Sequence, residues 1–147
     1  MAHSREQIRN AAATALSALA GGRVYKSRVY PADVLPAIGV FTTNETARND
    51  GFLTGAVGAK RYNRELDLVV EILAEAIADV DAEVDTLASA VETQLAADYT
   101  LGGIAVDCEL FGTTVDLEGD GDVPLAVARL TFRVWYRTTA AAPDTPL

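Results

Sequence analysis

Cysteine and histidine are scarce in this 147-residue chain, so catalysis would have to rest on carboxylates alone. Its single cysteine, Cys108, cannot form an internal disulfide, which fits a reducing compartment, and its single histidine, His3, lies in a terminus where a general base is poorly placed. No GxSxG, CxxC or glycine-rich phosphate loop is present. We therefore expect no catalytic residues, no cofactor and no metal site, and a protein that is not an enzyme.

Long apolar runs and positive charge are also lacking. No stretch approaches the roughly eighteen consecutive apolar residues of a membrane helix, and the N-terminal MAHSREQIRN lacks the apolar core of a signal peptide. The chain has 12 Lys and Arg residues and 21 Asp and Glu residues, which gives a formal charge of −9. Because phosphate would be repelled, specific nucleic-acid binding is not expected. The composition predicts a soluble, cytosolic protein without a membrane partner.

The central element of the chain is the segment RYNRELDLVVEILA at 61–74. Alternate residues are apolar over most of its length, which predicts a long β-strand with one wet face and one face that must be covered. Two helical segments are available as covers. The chain length fits one domain over 1–147. We expect an α+β fold, an antiparallel or mixed sheet of about four to five strands with two helices on one face.

The two helices are predicted from apolar spacing. Residues 5–20 form an amphipathic segment with Ser4 as N-cap and Gly21 as the stop. Residues 79–97 carry a second stripe at steps of three and four, with acidic residues in the first turn: Val80, Val84, Leu87, Val91 and Leu95. The first stripe is mostly alanine, which suits a helix lying close to a sheet.

Further strands are predicted at 23–30, 37–41, 104–117 and 125–138, the last two as a terminal hairpin, and the tail at 139–147 is expected to fray. Between them lies a long stretch at 42–60 without usable periodicity, which we predict to be a flexible loop. Phe52, Leu53 and Val57 lie in it. Two interpretations stay open: a mobile loop with locally tucked apolar residues, or a segment that orders against a partner with Phe52 as its anchor.

The acidic turn at 116–121 resembles the opening of a calcium loop, with Asp116, Glu118 and Asp120 at alternate positions before a glycine. The closing carboxylate should fall at 127, where the residue is Val127, so the match fails. A polar turn between two strands explains the same residues.

The outward face of the last strand carries Arg129, Arg133 and Arg137 together with Trp135. Tryptophan and arginine are enriched at protein interfaces, so this face is a candidate contact with a neighbouring copy or another partner. The alternative is an ordinary solvated face whose arginines pair with carboxylates on the adjacent strand.

Four stretches of the sequence have to be considered together. The best marked is Arg28-Val29-Tyr30-Pro31 followed by Leu35-Pro36-Ala37-Ile38. The others are REQIRNAAATALSAL, RYNRELDLVVEIL before an acidic helix, and the closing LTFRVWYRT. Together they resemble the tail terminator proteins of long-tailed bacteriophages, and the similarity covers nearly the whole chain.

The resemblance implies a structural virion subunit that forms a homohexameric ring on the finished tail tube. The ring ends tube polymerisation, offers a surface to the head-tail connector protein, and lets DNA pass without specific binding. It implies assembly in the host cytoplasm and a place at the head-proximal end of the tail, with Phe52, Leu53 and Val57 assigned to contacts by position only. A compact chain of this length has a radius of gyration of about 15 Å, so six in a ring leave a hole of roughly 38 Å. The alternative is a monomeric α+β module that binds a peptide or small ligand.

Overall fold

The computed structural model describes residues 2–28, 34–52, 60–75, 78–118 and 124–147. These residues form two α-helices and five β-strands, with a 3₁₀ turn at Leu19–Gly22. In chain order these are α1 (Ser4–Ala15), β1 (Val24–Tyr25), β2 (Ala37–Phe52), β3 (Lys60–Glu75), α2 (Val80–Ala97), β4 (Asp107–Glu118) and β5 (Leu125–Thr139).

The strands form one sheet in the order β1-β2-β3-β5-β4. All neighbouring pairs are antiparallel except β1 and β2, which run parallel. The expected α+β fold with a mixed sheet and two helices is confirmed.

The predicted alternation in β3 and β5 is also confirmed. In β3 the residues Leu66, Leu68, Val70 and Ile72 are buried, and β5 contributes a matching row of buried side chains: Ala126, Ala128, Leu130, Phe132, Val134 and Tyr136. Register pairs such as Leu68 with Phe132 hold these rows side by side. The core therefore lies between the central strands and the two helices.

Helix α2 carries the predicted stripe, with Val84, Val91 and Leu95 buried. Helix α1 differs from prediction at both ends. Its N-cap is His3, whose Nδ1 accepts a hydrogen bond from the Arg5 backbone N–H at 3.1 Å, whereas Ser4 lies inside the first turn and is buried. The helix ends at Ala15, with Leu16 as its C-cap, and the chain reaches the positive φ of Ala20 and Gly21 only in the following 3₁₀ turn.

The prediction of a loop over 42–60 is wrong for residues 42–52, which continue β2 as a strand of 16 residues. A bulge between Thr42 and Glu45 shifts the register, so that Glu45 pairs with Leu66 and enters the helix-covered side. The alternation breaks at this bulge, which explains why the sequence showed no period there. Residues 53–59 lie outside the described residues.

Two smaller expectations are corrected as well. Of the predicted strand at 23–30, only Val24–Tyr25 is a strand, while 26–28 bend and 29–30 lie outside the described residues. The tail is not frayed, because Ser4 Oγ donates to the Pro143 carbonyl at 2.7 Å and Gln7 Nε2 donates to the Asp144 carbonyl at 2.7 Å. These bonds tie the C-terminus to α1.

Candidate subunit interface

The face of the sheet opposite the helices, here called the helix-free face, carries a ladder of ion pairs between strands. Arg129 Nε lies 2.7 Å from Glu71 Oε2, and Arg133 Nε lies 2.9 Å from Glu65 Oε1. Arg137 Nε lies 3.6 Å from Asp50 Oδ2. All three predicted arginines therefore contact carboxylates of their own chain, as the solvated-face alternative anticipated. Their part in an interface stays a prediction.

Two aromatic side chains lie on this face, of which the sequence predicted Trp135 but not Phe111. Phe111 of β4 is 64% exposed, and the Arg133 guanidinium lies 3.8 Å from its ring centroid. Trp135 lies two residues further along β5, pointing to the same side as Arg133. The overlooked signal is the Phe111-Gly112 step, since glycine inside a strand often marks a bulge. We call Phe111, Arg133 and Trp135 the aromatic patch.

Strand β4 forms one edge of the sheet, and no other described strand pairs with its outer side. On the helix side of this edge Val115 is 47% and Leu117 is 69% exposed, although their partners Ala128 and Ala126 on β5 are fully buried. The helices thus cover β4 near Cys108 but not near Val115 and Leu117, where an apolar edge is left open. Edges of this kind are sites for pairing with another chain.

The opposite edge is formed by β2 and by the segment that contains β1. Strand β1 covers β2 only near Ile38 and Gly39, so the second half of β2 has no described neighbour on that side. Lys26, Arg28 and Arg48 lie exposed along this edge. Arg28 donates to the Thr42 carbonyl at 2.9 Å, which holds the segment beside β2.

Beneath α1 a polar cluster closes the helix-covered side of the sheet. The Glu45 carboxylate, 9% exposed, lies 3.1 Å from Arg64 Nη1 and 3.1 Å from Arg5 Nη1, and it accepts a hydrogen bond from the Tyr136 hydroxyl. Burial, with the Glu45 carboxylate adding to it, raises the pKa of Tyr136 above its usual value. Arg64 also donates to Thr138 Oγ1 at 2.9 Å. The cluster joins α1, β2, β3 and β5.

Small-molecule binding finds little support on the helix-free face. Its hollows have volumes of about 240 Å³ beside Arg133 and about 260 Å³ beside Trp135. Ligand pockets usually span about 300 to 1,000 Å³. Among the described residues no group of three or more His, Cys, Asp or Glu side chains could hold a metal ion. No helix within the described ranges is long and apolar enough to span a membrane.

The predicted contact residues do not form one group. Arg129, Arg133, Trp135 and Arg137 share the helix-free face of β5. Phe52 ends β2, where its backbone pairs with Lys60. Leu53 and Val57 lie outside the described residues, so the assignment of this segment to a partner contact stays a prediction.

The chain matches no protein-family model, and no curated protein sequence matches it.

Proposed function

We propose that the chain is a structural subunit that associates with copies of itself into a ring. We further propose that this ring caps the tail tube of a long-tailed bacteriophage, ends tube polymerisation and presents a surface to the head-tail connector. The tail-specific part rests on the resemblance in the sequence, and self-association rests on features of the sheet.

The observation that carries self-association is the aromatic patch beside an open sheet edge. Phe111 is a large side chain that stacks on Arg133 and is left 64% exposed, and Trp135 lies on the same face of β5, two residues along from Arg133. Exposed aromatic residues with an arginine are the composition of binding hot spots. Because Arg133 is already paired with Glu65, a copy that joins at the β4 edge and packs against Phe111 would not bury an unpaired charge.

The rival proposal, a monomeric module for a peptide or small ligand, is less well supported. The hollows on the helix-free face are smaller than the usual ligand pocket, and the hollow between α1 and the turn after α2, at about 310 Å³, only reaches the lower end of that range.

The proposal is tested by comparing the wild type with F111A in native mass measurement and electron microscopy. Loss of a hot-spot aromatic costs about 2 kcal/mol or more, which weakens association roughly thirtyfold. The matched control is Y99A, because Tyr99 is also exposed, at 54%, but lies in the turn after α2 and belongs to neither β4 nor β5. Rings are expected from the wild type and Y99A but reduced in F111A. Equal assembly of F111A and the wild type would remove the patch from the interface.

Tube capping is tested by adding the protein to polymerising tube protein of the same phage and measuring tube length by electron microscopy. The expected result is that tubes stop growing and carry a ring at one end. Unchanged growth in the presence of assembled rings would contradict the tail-specific part and leave self-association standing.

A further inference from the structure

We propose that copies join head to tail through their sheets, with β4 of one copy lying antiparallel to the opposite edge of the next copy. That edge consists of residues 44–49 of β2 and the segment 24–28. The inference rests on the proposed function, because it assigns the contact that would build the ring.

Strand direction favours this pairing. Strands β2 and β5 run one way, and β3 and β4 run the other, since each neighbouring pair among the four is antiparallel. In a ring whose strands keep their direction relative to the axis, β4 of one copy therefore meets β2 of the next copy antiparallel. Antiparallel ladders can be extended at an edge without a crossover connection.

The registers show which residues come level with each other. Thr46, Glu65, Trp135 and Asp107 form one row across the sheet, so Asp107 of one copy lies level with Thr46 of the next in a ring without axial offset. A second row runs from Tyr25 through Gly39, Glu71 and Arg129 to Thr114. Strand β4 thus faces the free half of β2 with its first residues and the β1 segment with its later ones.

Charge distinguishes this contact from a two-fold one. Asp107, Glu109 and Asp116 lie on β4, which contains no lysine or arginine, and none of the three forms an ion pair with another described residue. Two β4 edges facing each other would repel, because like charges across an interface are unfavourable. The other edge offers Lys26, Arg28 and Arg48. Opposite charges on two different edges fit a heterologous contact, the type that closes into rings.

The exposed apolar residues of β4 also favour the contact between the two edges. Val115 and Leu117 lie on the helix side of β4, beyond the reach of their own helices. By the same registers Val115 comes level with Val24 of the next copy. Val24 and Leu19 of the 3₁₀ turn after α1 pack against the core on the helix side of their own sheet. Joining the two edges would therefore bring apolar side chains next to the exposed apolar row and remove it from water.

The dimensions are compatible with the proposed ring. Strands lie about 4.8 Å apart, so four or five spacings per copy close six copies at a backbone-to-backbone diameter of about 37 to 46 Å. Side chains of about 5 Å on each wall leave a hole of about 27 to 36 Å. A DNA duplex of roughly 20 Å passes through it.

The test is disulfide cross-linking between the two edges. Both Thr46 and Asp107 face the helix-free side, so the T46C/D107C double variant should form covalent multimers when oxidised at the concentration where the wild type associates. Each single variant should give none, and a mixture of the two single variants should give dimers only. The control T46C/T113C places the second thiol on the helix side and should not link.

The outcomes separate this inference from the proposed function. Rings in the reduced double variant, together with covalent multimers after oxidation, support both. Rings without covalent multimers overturn the edge contact but not the proposed function. Dimers formed by the D107C single variant replace the edge contact with a two-fold contact. Covalent multimers that are open chains, without rings, keep the contact but contradict the ring. A protein that stays monomeric and unlinked at its highest soluble concentration contradicts both.

Discussion

Replacing Glu45 by alanine should be among the most destabilising single changes outside the apolar core. The carboxylate is 9% exposed and receives Arg64, which is 12% exposed, together with the Tyr136 hydroxyl. Truncation leaves a largely buried guanidinium without its partner and removes the acceptor of a buried hydroxyl. Breaking a buried ion pair typically costs about 3 to 5 kcal/mol. Because this cluster lies at the margin of the core, we expect E45A to lose about 3 kcal/mol of unfolding free energy.

The matched control is R5A, which removes the third partner of the same carboxylate. The Arg5 side chain is 45% exposed, and exposed ion pairs contribute about 0 to 1 kcal/mol. Urea unfolding followed by circular dichroism measures both variants, and the double variant E45A/R64A tests coupling. The double variant should lose less unfolding free energy than the sum of the two single variants, because each single change leaves the other charge without its partner. An E45A protein within 1 kcal/mol of the wild type, or equal losses in E45A and R5A, would refute the reasoning.

Three further predictions concern the thiol, the buried tyrosine and the β2–β3 connection. Burial raises the pKa of the Cys108 thiol to about 12. An alkylating reagent at pH 8 should therefore modify the folded protein at least about a hundredfold more slowly than the urea-unfolded protein. Comparable rates for the two states would contradict this. Because the folded pKa of Tyr136 is raised, its stabilising contribution is complete below the unfolded pKa of about 10 and is lost as pH rises above it. Unfolding free energy should therefore fall more steeply above pH 10 in the wild type than in Y136F, and parallel curves would contradict it. Replacing residues 53–59 by Asn-Gly should keep the sheet, since Phe52 and Lys60 are paired, but it should abolish binding to the tube end. Tails of normal length with this variant would show that the segment is not the tube contact.

The parts of the fold that could be predicted are those in which apolar residues recur at a regular spacing in the sequence. Strands β3 and β5 and helix α2 bury one face against a single core, so their apolar residues recur at two or at three and four positions. Strand β2 could not be found this way beyond Phe41. Its residues TTNETARND have weak strand preference, and they form a strand because β3 pairs with them.

The candidate site was predicted in part for the same reason. Trp135 and the three arginines follow from the alternation of β5, but their ion pairs depend on the register with β3 and β2, which no local pattern gives. Phe111 was missed because the bulge between Leu110 and Gly112 breaks the alternation of β4, so that Val115 and Leu117, at even steps from Phe111, lie on the opposite face. The bonds of the tail to α1 end on the carbonyls of Pro143 and Asp144, which leave no mark in the side-chain sequence.

The most direct measurement of the central claim is the native mass of the purified protein over a range of concentrations, with images of the same samples. The account predicts closed rings with about six times the 15.5 kDa of one chain. A single-chain mass at every concentration, with no ring in the images, would contradict it.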